Sequence, residues 1–457
     1  MEKEYKANNY SVINQEYSIK TSETNKPQSD DQLKKWKIPS GGGVCSSAAC
    51  HKSLVVFGAC DHHVYALDRN TGRIVWKFLT GDVVGSSPCI VDGVVYISSD
   101  DGFLYALDAE DGSLRWKFRM GPRGTYFSSP YIVNDIVYVG GGDSQYFYAV
   151  SKDGKLVWKY MTGGRITSSA AVVNGQVLFS SYDNHFYSLS ADSGRKQWRF
   201  YVGGISGSSP AVSNEKYEEV WHFGKFSTKD PGNVSVKSGV VYFCTWNDHI
   251  YAIDIDDGKM VWQFITGGYS STSPRILNGA LLAGSYDRNI YSLNAEDGRL
   301  IWKICTGGEV ESPICVHQNV AYFGCFDNNI YALSLDDKKP WKFSTSGIIA
   351  ASPLIHDDVL YIGSFDTFFY AISLKTKSTL WKFQTGFGIA SDVSDLVKKV
   401  VDATRGKFTE WKPEATVTAG RTYGENRETP APDTQHPYLS FNPYRSSTPY
   451  KSRSAYK

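Results

Sequence analysis

An all-β fold, an eight-bladed β-propeller of four-stranded antiparallel blades, is predicted for this sequence by three observations. A tryptophan in a Trp-Lys-Phe-like tripeptide returns at Trp36, Trp76, Trp116, Trp158, Trp198, Trp262, Trp302, Trp341 and Trp381, with gaps of 40, 40, 42, 40, 64, 40, 39 and 40. A fixed period in the range of roughly 20 to 50 residues marks a solenoid, propeller or array. The composition is skewed to 42 Gly, 30 Tyr, 23 Phe and 12 Trp beside 4 Met, which suits strands and tight turns better than helices. Within each period four short runs of β-type residues are separated by turn signals, as an antiparallel meander requires.

The repeat at 271–307 shows the order of parts. Small residues around Ser273-Pro274 come first, then an Asn278-Gly279 turn and the run Ala280–Ser285. A turn at Asp287–Asn289 leads into Ile290–Leu293, and Asp297-Gly298 turns the chain into Leu300–Ile304 with its tryptophan. One such sheet cannot cover both of its faces, whereas a closed ring of sheets gives each a neighbour on either side. The small-residue signature occurs eight times, at Ser46, Ser86, Ser128, Ser168, Ser208, Ser273, Ser312 and Ser352. Eight blades follow, with seven as the fallback, and the ninth tryptophan, Trp36, is expected to complete or flank the last blade.

The chain divides accordingly. Residues 1–33 are polar and expected to be disordered. The propeller spans 34–390, with an insertion at 212–238 in the fifth blade that carries Trp221, Phe223 and Phe226 and is expected either to pack on the propeller flank or to act as a docking element. Residues 391–406 show helical spacing of Val393, Leu396, Val397, Val400 and Val401 and predict a short amphipathic helix. Residues 407–457 form a Pro/Tyr-rich basic tail.

The run Ala66-Leu-Asp68-Arg-Asn-Thr71-Gly72-Arg-Ile-Val-Trp76 resembles the A-x-D-x-x-T-G-x-x-x-W signature of pyrroloquinoline-quinone (PQQ)-like propeller repeats. Ala106-Leu-Asp108 with Gly112 and Trp116, and Ala252-Ile-Asp254 with Gly258 and Trp262, are similar to it too. Other copies depart from it: Lys339-Pro340 replaces the glycine turn before Trp341, and Lys375-Thr-Lys377 does so before Trp381. The resemblance covers about residues 36–390. It implies that Trp76, Trp116, Trp158, Trp198, Trp262, Trp302, Trp341 and Trp381 each dock on the next blade. The family holds quinoprotein dehydrogenases, assembly scaffolds of the BamB type and propellers fused to acyl-activating enzymes, so fold alone does not choose the function.

Charge and motifs narrow the choice. With 48 Lys+Arg against 47 Asp+Glu, the formal net charge is +1, unlike a nucleic-acid binder that works by bulk positive charge. No run of 18 apolar residues suggests a membrane span, and the polar opening Met1–Lys6 lacks a secretory signal's apolar region. An intracellular protein with reduced thiols is expected, since the eight cysteines form no C-x-x-C pair. Cys45, Cys50, His51, His62 and His63 fit no standard zinc spacing. The adjacent cysteines that stack on the quinone in the dehydrogenases do not occur. Asp68, Asp108, Asp111, Asp254 and Asp297 belong to hairpin turns, where Asp bonds locally. No G-x-S-x-G, Walker A or H-E-x-x-H motif is present. No catalytic, cofactor-binding or metal residue is therefore assigned.

The expected function is a non-enzymatic protein-interaction scaffold in an intracellular assembly, cytoskeletal or axonemal; the alternative is a propeller binding a ligand or PQQ-type redox cofactor, accessory to an acyl-activating enzyme. Candidate partner-binding residues are Arg123, Tyr126, Arg165, Tyr269, Glu309, Glu311 and Phe368, with Phe365 and Phe369, on the face shared by inter-blade loops and the turns between second and third strands. Aromatics and Arg on exposed loops are enriched in hot spots. Trp221 in the insertion joins them, as do Tyr444, Arg445, Tyr450 and Lys451 of the tail, which carries no acid after Asp433. Such tails are similar to those of proteins that decorate axonemal microtubules, which would make the partner an acidic surface such as tubulin's.

Overall fold

A computed structural model of the chain describes residues 42–124, 127–221 and 238–386 together with a three-residue strand, Glu16–Ser18. The expectations for Trp36, for Tyr126, for most of the insertion, for the 391–406 helix and for the tail fall outside these residues. Every regular element among the described residues is a strand, arranged in eight sheets. Blade 1 comprises Ala49–His51, Leu54–Gly58, His63–Asp68 and Ile74–Leu79, paired in that order. Blade 2 begins at Cys89, blade 3 at Tyr131, blade 4 at Ala171, blade 5 at Ala211, blade 6 at Arg275, blade 7 at Cys315 and blade 8 at Leu354. Glu16–Ser18 runs parallel to the outer strand Leu300–Cys305 of blade 6.

The apolar core lies between blades. The third strand of blade 1 reads half-buried, buried four times, half-buried, because both of its faces are covered. Outer strands instead alternate, as in Leu156–Met161, with Trp158 buried and its neighbours exposed. Each core cluster spans adjacent sheets; the one containing Val55, Phe57, Phe369 and Ala371 joins blade 8 to blade 1 and closes the ring. Phe57 and Phe369 stack there with centroids 3.9 Å apart. Phe369 is thus core rather than rim, because its strand position points between blades.

The serine signatures lie just before the first strands and do more than fit a crowded axis. Ser47 N–H donates to Ser87 Oγ at 3.0 Å, Ser87 to Ser129 at 2.9 Å, Ser129 to Ser169 at 2.9 Å, Ser169 to Ser209 at 2.9 Å and Ser209 to Ser273 at 3.2 Å. Ser352 N–H returns to Ser47 Oγ at 3.1 Å. Blade 7 presents Pro313 at the corresponding place, and proline has neither the N–H nor the hydroxyl this relay uses.

In six blades the tryptophan reaches the next blade. Indole Nε1–H donates to a carbonyl of the next blade from Trp76 (Ala109), Trp116 (Lys152), Trp158 (Ala191), Trp198 (Ile255), Trp262 (Ala295) and Trp381 (Arg69), over 2.6–3.0 Å. The left-handed glycine of the neighbouring turn lies under each ring; a Cβ on Gly112 (φ +72°) would sit 2.6 Å from the Trp76 ring. Trp302 and Trp341 differ. The turns beneath them carry Lys338 (φ 60°) and Lys377 (φ 54°) in glycine's place, and the ammonium groups cover the rings at 4.9 and 5.8 Å. Blade 7 also lacks the register shift that the fourth strand shows in every other blade, which accounts for its 39-residue spacing.

Of the insertion, residues 212–221 and 238 are described, and within them Glu219–Trp221 is a fifth strand on the inner edge of blade 5, paired with Ala211–Asn214. Glu219 bridges to Arg275 of blade 6 at 3.0 Å and accepts Ile276 N–H at 2.7 Å.

Candidate functional site at the channel mouth

Between second and third strands each blade makes a tight turn, and in six of them an aspartate organises it. Asp61, Asp101, Asp183, Asp327 and Asp366 accept the phenol of a tyrosine four residues on at 2.5–2.7 Å, and Asp287 accepts Tyr291. The same carboxylates reach the preceding inter-blade loop: Gly81 N–H donates to Asp101 at 2.7 Å, and Gly386 N–H to Asp61 at 2.7 Å. Burial first, then the aspartate hydrogen bond, pushes the phenols of Tyr105, Tyr187, Tyr291 and Tyr370 upward. They are structural latches between blades.

The residue just before each such aspartate, or its counterpart, lines the mouth. Its N–H is fixed by the loop entering from the previous blade, as in Tyr182 to Arg165 O at 2.8 Å, Trp246 to Ile205 O at 2.8 Å and Phe326 to Glu309 O at 2.9 Å. Blades 4 to 8 place Tyr182, Trp246, Tyr286, Phe326 and Phe365 here, all half-buried. Tyr182 and Trp246 lie 5.5 Å apart by ring centroids, and Tyr286 meets Phe326 edge-on at 5.8 Å. Blades 1 to 3 place Cys60, Asp100 and Gly142 at the same position. The mouth therefore has an aromatic arc and a smaller, polar arc. Sequence reasoning named only Phe365 of the five; the signal was available as the residue preceding each turn aspartate.

Glu311 belongs to this surface. Its carboxylate accepts Tyr286 Oη–H at 2.7 Å and Ser271 Oγ–H at 3.4 Å. Burial pushes its pKa up to about 7, opposed by those two hydrogen bonds. Tyr182, three blades away, is raised by burial above all, with Glu311 and Asp143 adding to the rise.

Other expected residues are placed less centrally. Arg123 donates to Gly81 O at 3.0 Å and lies 3.8 Å from Asp82, with its side chain 67% exposed. Arg165 pairs with Asp143 at 2.5 Å. Tyr269 and Glu309 are half-buried and supply loop carbonyls to the turns. Phe368 opens the third strand of blade 8 under Lys382, 4.3 Å above its ring, and packs on the blade itself. Trp221 lies in the inner-edge strand; Tyr444, Arg445, Tyr450 and Lys451 lie outside the described residues. His63, His185 and His249 each bond the backbone of their own turn at 2.5–3.0 Å, as loop histidines do. Among the described residues no group of three or more His, Cys, Asp or Glu can hold a metal ion, and no helix is long and apolar enough to cross a membrane.

A protein family described as outer membrane protein assembly factor BamB matches residues 22–140, 122–215 and 210–337. No curated protein matches the sequence. Among solved structures, BamB from Moraxella catarrhalis is similar at 18% identity over 70% of this chain and 91% of its own, with a TM-score of 0.54. The computationally designed Ika8 protein is similar at 13% identity over 76% and 98%, with a TM-score of 0.58. Quinohemoprotein alcohol dehydrogenase ADHIIG from Pseudomonas putida HK5 is similar at 14% identity over 72% and 70%, with a TM-score of 0.59. At these identities the structural likeness speaks to the propeller fold.

Proposed function

Since the chain belongs to the PQQ-like propeller family described as outer membrane protein assembly factor BamB, we propose that it is a non-enzymatic interaction scaffold whose channel mouth receives a protein partner. The aromatic arc Tyr182–Trp246–Tyr286–Phe326–Phe365 carries this reading: half-buried rings held by backbone hydrogen bonds are rigid, amphipathic anchors of the kind that dominate binding energy. Glu311 beside the arc suits a partner segment that brings an apolar or aromatic side chain next to a basic one. The 407–457 tail, with Tyr444, Arg445, Tyr450 and Lys451, supplies a second contact suited to an acidic surface such as tubulin's. A place in the cytoplasm, on the cytoskeleton or in a cilium follows from that tail. The balanced charge favours protein over nucleic acid or membrane as the partner.

Comparative affinity capture tests both contacts. Full-length chain, a Trp246→Ala/Tyr286→Ala variant and a chain truncated after Gly406 are presented to the same lysate. Loss of a partner from the double variant, at unchanged melting temperature, supports the mouth; retention in equal amount removes it from the proposal. Equal partner sets with and without the tail would leave the tail no binding role.

The alternative is a ligand or PQQ-type redox-cofactor propeller, accessory to an acyl-activating enzyme. Aromatic faces beside Glu311 favour a planar guest. The donors at the described mouth nevertheless do not fit a calcium-anchored quinone, since no three of them converge. Titration with PQQ and calcium, followed by absorbance and melting temperature, decides: a saturable spectral change with a raised melting temperature would favour this reading over the scaffold.

A further inference from the structure

Among the described residues, blade 1 alone has sulfur at two mouth positions. Cys45 lies in the segment just before the first strand, and Cys60 in the turn after the second strand, 15 residues later, with the sulfurs 3.7 Å apart. Blade 2 has Gly85 and Asp100 at the corresponding positions, and blade 4 Thr167 and Tyr182. The backbone around the pair is the seam that closes the ring. Val44 N–H donates to Ser364 O at 3.0 Å, and Cys60 N–H to Gly43 O at 3.0 Å. Gly386 N–H donates to Asp61 at 2.7 Å, and Thr385 Oγ1 donates to Gly42 O. Both cysteines are only partly buried, so a small oxidant can reach them from the mouth.

We propose that Cys45 and Cys60 form a reversible disulfide that staples the segment hydrogen-bonded to blade 8 onto the turn of blade 1, with a low-molecular-weight disulfide such as glutathione disulfide as the oxidant. One thiolate attacks a sulfur of glutathione disulfide; that bond breaks and one glutathione leaves as thiolate. The second cysteine, already in van der Waals reach, then attacks the protein-bound sulfur and expels the other glutathione. Two protein thiols are oxidised to one disulfide, one glutathione disulfide is reduced to two thiols, and the two protons pass from protein to glutathione. The hydrogen bond with Cys60, then burial, pushes the Cys45 thiol up, with the Asp100 carboxylate contributing; the thiolate is scarce and the exchange correspondingly slow. Closing this short loop restricts the unfolded chain and fixes to the turn of blade 1 the segment whose Val44 N–H bonds Ser364 O of blade 8.

The test uses the full chain in glutathione redox buffers of increasing oxidation, with non-reducing peptide mass spectrometry and thermal melting. Exposed Cys305 reports that the oxidant acts on the protein. Expected is a Cys45–Cys60 linked peptide, reversed by reduced glutathione, with a melting temperature raised by a few degrees; Cys45→Ser and Cys60→Ser each abolish both. A stable glutathione adduct on either cysteine, two unmodified thiols while Cys305 reacts, or linkage of either to another cysteine overturns the proposal. Because the linkage is read on the unsubstituted chain, misfolding of a serine variant does not shelter it.

Discussion

Burial pushes the Glu311 carboxyl up to about 7, above the value of about 4.3 expected in the unfolded chain. The folded protein therefore retains a proton that the unfolded chain has released in that interval. Any stability advantage is complete below about pH 4.3 and is lost as pH rises through about 7. Glu311→Gln should match the parent at about pH 4.5 and exceed it by about 3–4 kcal/mol at about pH 8; melting curves at the two values check this, and equal stability at both would mean the carboxyl is ordinary. Glycines allow a second residue-scale comparison. Gly93 and Gly112 share a φ of +72°, yet a Cβ at Gly93 meets nothing within 4 Å whereas one at Gly112 strikes the Trp76 ring at 2.6 Å. Gly93→Ala should cost about 1 kcal/mol from backbone strain, and Gly112→Ala about 1–3 kcal/mol more from displacing the indole. Urea midpoints measure the difference; equal costs would deny the glycine its docking role. The Gly-x-x-x-Trp spacing made such glycines legible. The Cys45–Cys60 contact was not, because two cysteines 15 residues apart carry no motif and meet only when the turn folds back on the incoming segment.

At the scale of the element, the outer strands show where the repeat pattern predicted contacts and where it overreached. Trp76 is 6% exposed and bonded to Ala109 O at 3.0 Å, whereas Trp302 is half-buried under Lys338. Trp76→Ala is expected to cost about 3–5 kcal/mol, and Trp302→Ala about 1–2 kcal/mol, nearer the value of an exposed cation–π contact plus partial burial. Chemical denaturation of the two variants checks the order, and a larger loss at Trp302 would refute it. The decayed turns at Lys339-Pro340 and Lys375–Lys377 were visible in the sequence, but that Lys338 and Lys377 take the left-handed positions and cover the rings was not. The insertion illustrates the reverse. Its length announced a departure from the period, while the inner-edge strand and its Glu219 bridge to Arg275 of the next blade were legible only in the fold.

For the whole molecule, closure is the property on which the rest depends. Asp61 accepts both Tyr65 Oη–H at 2.5 Å and Gly386 N–H at 2.7 Å, so it ties the last described residue to the first blade. Asp61→Ala leaves a buried phenol and a backbone donor without that acceptor and should lower stability by about 1–3 kcal/mol, with local hydrogen-exchange protection falling first in blades 1 and 8. Uniform loss of protection around the ring would show that the seam is no weaker than other blade junctions. The periodic tryptophans, turn aspartates and small-residue segments by themselves determined a closed ring of eight four-stranded sheets, because each unit has two apolar faces that only like neighbours can cover. Tertiary structure alone decided which residues share the mouth. The aromatic arc and Glu311 with its Tyr286 and Ser271 partners come from different repeats, and the ring's curvature, set by packing between blades, brings them together.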